Sequence, residues 1–340
     1  MVFANTKMNK FASNLAEAVR EIMKDPVFVQ RLRRNTNGKI FWAYKSTDAG
    51  YAEFVKHHPD YPDGTPAVYT TVGAAYDAMT SNQNDVCLIN GHGSFSEAML
   101  TVSKNRCHFE GMDGGGRRNS MGAKLSTPAT DVAASVAVVK ITGTRNTFKN
   151  IKFIQQGTNA AQTSGVIDEG EGTYMKNCEM EVNSILSTAS QGLLFKGDTC
   201  HYEDCQIGNS TVTHTAANQA PLVIKTPARY SYFINCTMIN FSDKTTASLI
   251  DVPDANGIIG WIMFENCRLI NARKGDGANA QAEIAEAVTS VCTSGYLLFD
   301  SRCTSYQCAL FSEADASIYH AGQAAAGDSA AKGGLAEPAA

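Results

Sequence analysis

Through the middle of the chain, short apolar runs of alternating pattern are broken by glycine, asparagine, aspartate and threonine, and the runs repeat. Five segments align, at 148–153, 174–180, 202–207, 233–238 and 264–269, the second with one extra residue. Their shared pattern is an aromatic, a spacer, Asn or Asp, Cys or Ile, any residue, and then an apolar residue. The core position moves from Ile151 to Cys178, Cys205, Cys236 and Cys267 in steps of 27, 27, 31 and 31 residues, with a weaker sixth copy at 298–303. A period of this size signals a repeat architecture in which each unit stacks on the one before it.

A second strand-like element precedes each copy, at 138–141, 165–168, 193–196, 222–225 and 249–252. Each repeat therefore holds at least two short strands joined by turns. Two-residue alternation places Cys178 with Met180, and Cys236 with Met238, on one inward face. The expected core ladder is Cys178, Cys205, Cys236 and Cys267, because cysteine is a small apolar side chain that tolerates close stacking. The expected turn ladder is Asn150, Asn177, Asp204, Asn235 and Asn266, residue types that accept a left-handed backbone and can bond to the neighbouring coil.

Ahead of the repeats, 69–79 has the spacing of a short helix, and 85–93 reads as a first strand and its turn. The solenoid is expected from about 84 to 311. The segment 9–34 has helical spacing (Phe11, Leu15, Val19, Ile22, Met23), split at Pro26, with Arg31, Arg33 and Arg34 at its C-terminal end, where the helix dipole favours cations. The stretch 39–44 reads as a strand, 51–66 as a loop rich in proline and aromatics, 275–288 as a small inserted helix, and 321–340 as an Ala/Gly tail. The division that follows is 1–65 for anchoring or capping, 66–311 for the solenoid and 312–340 for an extension.

The short helix, the first strand, its Asn90-Gly91-His92 turn and the repeats resemble pectin-lyase-like right-handed parallel β-helix proteins. The fold class implied is all-β, a right-handed parallel β-helix with an N-terminal helical segment and a C-terminal tail. The opening around Ile40-Phe41-Trp42 also resembles β-helix proteins of tailed-bacteriophage virions. That second resemblance implies a structural role: a capsid decoration protein, homotrimeric, contacting the major capsid protein or other virion proteins, assembled into the virion in the host cytoplasm. A receptor- or carbohydrate-binding spike module and a polysaccharide lyase or hydrolase are the alternatives.

Composition narrows the partners. A net charge of -4 from 29 basic and 33 acidic residues supplies no pull toward nucleic acid or anionic lipid. The first ten residues lack the basic segment and apolar run of a secretory signal, and no apolar run approaches the ~20 residues of a membrane span. Ten cysteines at strand positions in a chain of 340 residues read as buried thiols rather than a disulfide framework, and their spread along a stack argues against one metal centre.

Motifs for catalysis are sparse. Gly91-His92-Gly93 matches three letters of the polygalacturonase-like pattern, but the partner aspartate motifs are absent, so it reads as a turn. Asp168, Glu169 and Glu171 form the densest acidic group near a strand, with Arg145 and Arg229 as candidate neighbours for pectate-lyase-like chemistry; without the arginine motif they read as a surface turn. Residues 113–118 (Asp-Gly-Gly-Gly-Arg-Arg) lack the Gly-Lys-Ser/Thr ending of a phosphate loop. The expectation is a chain that is not an enzyme, with no catalytic, cofactor or metal residues.

Overall fold

The computed structural model describes residues 38–320 apart from 92–93, 113–122, 130–134, 184–188, 213–218, 243–246, 255, 273–282, 288–294, 307 and 309–317. The expected helix at 9–34, most of the C-terminal extension, His92 and the 113–118 loop lie outside the described residues.

The chain winds as a right-handed parallel β-helix with three strands per full coil. Every strand pairing is parallel, and the strands fall into sheets of eleven, eight and seven. One coil runs Ser164–Asp168 in the seven-stranded sheet, Tyr174–Lys176 in the eleven-stranded sheet and Glu179–Val182 in the eight-stranded sheet. The pattern inside each strand explains its placement. Inward positions carry apolar side chains that are all but removed from water, while outward positions carry Lys, Glu, Gln and Thr. On the inward side of the eleven-stranded sheet, straight register stacks Phe109, Phe148, Met175, Tyr202, Phe233, Phe264 and Phe299. Several of these rings lie nearly parallel: Tyr202 and Phe233 have centroids 4.7 Å apart at 5°, and Phe233 and Phe264 5.1 Å apart at 14°.

In five successive coils the turn between the eleven- and eight-stranded sheets is one residue with left-handed backbone: Asn150, Asn177, Asp204, Asn235 and Asn266 have φ between 50° and 57°. Asn177 donates its side-chain amide to Asn150 Oδ1 at 2.8 Å, and Asn266 donates to Asn235 Oδ1 at 2.8 Å. The next residues, Cys178, Cys205, Cys236 and Cys267, are buried free thiols. Each donates its S–H to the carbonyl of the aromatic or Met residue one coil earlier: Phe148, Met175, Tyr202 and Phe233, at 3.5, 3.6, 3.5 and 3.2 Å. Burial pushes the Cys178 and Cys236 thiols well above the ordinary range.

A second row of left-handed residues marks the turn into the eleven-stranded sheet: Arg106, Arg145, Gly172, Thr199 and Tyr230. Amides of four of them, Arg106, Arg145, Gly172 and Thr199, bond to the carbonyls of Thr144, Glu171, Asp198 and Arg229 on the following coil.

Three expectations are corrected. The sheet begins well before residue 84, because Ile40–Ala43 pairs in parallel with Val86–Ile89. The 51–66 loop contains a helix, Tyr51–His57, with Glu53 in its first turn and Lys56 and His57 in its last, matching the dipole; Phe54 seats it edge-on against Trp42. In the segment read as an alanine-rich helix, Glu283–Ala287 is a strand paired with Ser248–Val252. The exposed backbone edge of the seven-stranded sheet needs a partner there, and that demand overrides helix propensity. The helix expected at 69–79 is Val72–Ala78, capped by the Thr71 side chain accepting from Ala74 N.

Candidate functional site

Outward positions of the eight-stranded sheet form two rows that run along the solenoid axis. The first is Lys124, Lys152, Glu179, Gln206, Thr237 and Arg268, all in direct register. In the second, Glu181 follows Ile154, and Ile239 and Ile270 follow Gly208. With the turn residues Asp204, Asn235 and Asn266 along one side, these rows line a groove of about 950 Å³. Its chemistry is concentrated at one end. Lys152 Nζ lies 2.9 Å from a Glu181 oxygen and 3.2 Å from a Glu179 oxygen, and Gln206 donates to the other Glu179 oxygen at 2.8 Å. All three ionisable side chains are less than a fifth exposed.

That packing sets the proton affinities. Burial, then the hydrogen bond and repulsion from Glu181, push the Glu179 carboxyl up to about 7 despite the pull of Lys152. Burial works against the Lys152 ammonium, but the two carboxylates outweigh it and hold its pKa above the ordinary value. Glu179 and Glu181 thus form a touching carboxyl pair, one member of which exchanges a proton near neutrality, braced by a single cation. At the far end, Arg268 is exposed and has no ion-pair partner among the described residues. Register places it three strands from Glu179, about 14 Å at ordinary strand spacing.

The residues weighed in the sequence lie elsewhere. Asp168 is not on a surface turn: it is fully buried, accepting from Tyr202 Oη at 2.5 Å, Gly170 N at 2.9 Å and Thr173 Oγ1 at 3.1 Å. Burial pushes its carboxyl up to about 6 against those donors. Its neighbour Glu169 is clamped between Lys140 and Lys196 at 3.0 and 2.9 Å. Arg229 pairs with Asp198 at 2.7 Å instead of approaching Asp168. The core cysteines sit inside the solenoid, while Asp204, Asn235 and Asn266 of the turn ladder reach the groove. Among the described residues, no three His, Cys, Asp or Glu side chains converge as a metal site. The motif reading missed Lys152, Glu179 and Glu181; the signal was the variable position directly after the core Cys or Ile, which register turns into one outward row.

No protein-family model and no curated protein sequence matches the chain. Solved structures do. Pectin methylesterase PemA from Erwinia chrysanthemi superposes with a TM-score of 0.52 at 14% identity, over 86% of this chain and 92% of that one. The shared architecture is the right-handed parallel β-helix. A pectin methylesterase from Aspergillus niger (TM-score 0.46, 14% identity, 84% of each chain) and an alginate lyase from Paenibacillus sp. (TM-score 0.45, 13% identity, 74% of this chain and 89% of that one) are more distant. At these identities the likeness establishes the architecture. The expectation of a chain that is not an enzyme, drawn from the missing catalytic motifs, is corrected by the same likeness: PemA shows this architecture in an enzyme.

Proposed function

We propose that the protein is a polysaccharide-cleaving enzyme that acts on uronate-containing glycans in the groove of the eight-stranded sheet, by β-elimination. The observation that carries the reading is the Glu179–Glu181 pair on Lys152, with Glu179 pushed up to about 7. A general acid works best when its pKa lies near the working pH, and burial beside a second carboxylate is how a glutamate gets there.

Geometry favours elimination over hydrolysis. Glycoside hydrolysis needs two carboxyl groups flanking the bond, roughly 5 to 9.5 Å apart. Here they sit two residues apart on one face of one strand, with an oxygen of each on the same Lys152 ammonium. A base and an acid on the same side of the sugar suit removal of the proton α to the uronate carboxylate. Glu181 takes that proton; the electron pair becomes the new carbon–carbon double bond; the bond to the glycosidic oxygen breaks, and the oxygen leaves with the proton of Glu179. Lys152 stabilises the negative charge that builds on the substrate carboxylate during proton removal. Arg268, about 14 Å along the row, is placed to hold the carboxylate of a uronate further along the chain.

The test is incubation with polygalacturonate and with alginate, reading unsaturated ends by ultraviolet absorbance and all new ends by reducing-sugar assay. Unsaturated products are expected, with kcat falling about 10²-fold or more in Glu179→Gln. Saturated products would reassign the site to hydrolysis. No cleavage of either polymer, or full activity in Glu179→Gln, refutes the proposal. The virion-capsid reading has no comparable support in the geometry of the described residues.

A further inference from the structure

The outward face of the eleven-stranded sheet carries a strip of aromatic side chains that the groove does not use. Tyr174, His201 and Tyr232 occupy one row by register, with ring centroids 5.7 and 5.6 Å apart. Trp261 stands edge-on to Tyr232 at 4.8 Å and to Tyr230 at 5.9 Å, and Tyr296 is its register partner on the next coil. Tyr230 and Tyr296 are 43% and 45% exposed.

Tyr230 is held out by the fold. It takes the left-handed turn position, φ 47°, where other coils use Arg106, Arg145, Gly172 and Thr199, and the pairing register shifts between Arg229 and Ser231 at that point. Opposite it Gly260 has φ 82°, and a Cβ there would fall 2.3 Å from the Tyr230 ring, so the ring rests against bare backbone. A left-handed backbone strains any residue with a side chain, and this one, 43% exposed, recovers little by burial. The turn alone gives no reason for an aromatic residue at this site.

Two observations identify the occupant. The first is area. Aromatic side chains present about 150–250 Å² each, and these six are more than half covered, which leaves less than about 450–750 Å². A stable protein interface takes about 800 Å² from each partner. The second is charge. The ionic groups flanking the strip are engaged within the chain: Arg229 with Asp198 at 2.7 Å, Lys176 with Glu203 at 2.6 Å, Arg302 with Asp300 at 2.6 Å, and Lys149 over the Tyr174 ring at 5.9 Å. A charged ligand would have to break one of those pairs. Ring faces for apolar C–H surfaces, with phenol, indole and imidazole groups at their edges for hydroxyls, match a sugar ring without charge.

We propose that this strip is a second carbohydrate site, which binds a neutral glycan chain laid along the solenoid axis, on a different sheet from the acidic groove. It does not depend on the β-elimination reading. The test is affinity electrophoresis of the full chain in native gels containing mixed-linkage β-glucan, galactan or xylan, with polygalacturonate as the charged control and light scattering for self-association. The wild type should be retarded by at least one neutral glycan. Apparent affinity should fall at least fivefold in Trp261→Ala and in Tyr296→Ala; the second removes only a half-exposed ring and leaves the bulge intact. Glu179→Gln should be retarded like the wild type, which separates this site from the groove. No retardation by any of the three, equal retardation of both variants, or a dimer that Tyr296→Ala dissolves would overturn the proposal.

Discussion

Replacing Glu179 with glutamine should change how stability depends on pH, and the direction follows from the groove. The folded carboxyl titrates at about 7 against an ordinary 4.5. In the folded state it therefore holds a proton that the unfolded chain has already released between those values. A raised carboxyl makes unfolding free energy greatest below about pH 4.5 and lowers it steadily as pH rises through 7, after which the loss is complete. A shift of that size corresponds to about 3 kcal/mol. With the side chain 16% exposed in a polar groove, about 1–3 kcal/mol is the expected range. Glutamine keeps an oxygen to accept from Gln206 and leaves Lys152 its contact with Glu181, but it cannot ionise. Stability of Glu179→Gln relative to wild type should thus climb by about 1–3 kcal/mol between roughly pH 4.5 and 8.5. Guanidinium midpoints followed by circular dichroism at several pH values give the difference directly; Asp168 titrates in both proteins and cancels. A difference that is constant across the range, or that falls with pH, would show that Glu179 is not the proton-holding member of the pair.

Phe233→Ala removes a ring stacked on both sides and should cost about 3–5 kcal/mol, with Phe233→Leu costing about half as much, by urea denaturation. Asn177→Ala loses both the left-handed preference and the amide bond to Asn150 and should cost about 2 kcal/mol, whereas Asn177→Gly, which keeps the backbone freedom, should cost about 1 kcal/mol; equal losses would mean that the turn geometry contributes nothing.

What could be read from the sequence was set by how narrowly each position is constrained. The turn after the eleven-stranded sheet needs a left-handed residue, and a small side chain must follow it inside; Asn or Asp then Cys satisfies both, so Asn177-Cys178 and its copies stand out. The other left-handed turn is filled by Arg106, Arg145, Gly172, Thr199 and Tyr230, a row too mixed in residue type to stand out as a repeat. The groove was hidden differently. Lys152 and Glu179 occupy the one position of the motif that accepts any residue, because it faces water, and only the coil register brings them to 3.2 Å. Asp168 misled because acidic residues adjacent in sequence suggested a common exposure. Alternation sends Asp168 inward, to Tyr202, and Glu169 outward, to its two lysines.

The straight register of the outward rows turns the solenoid into a graduated ruler. Residues 205–235 form one complete turn of the winding, from Cys205 to the asparagine before Cys236, and their removal would join Asp204 to Cys236 with both ladders still in phase. Such an excision would bring Arg268 one graduation, about 4.8 Å, closer to Glu179 without altering any other residue in either group's own coil. In a molecule of this kind the distance between two chemical groups is an integer, altered by gaining or losing whole coils, and the length of polymer it measures can change in steps while its chemistry stays fixed.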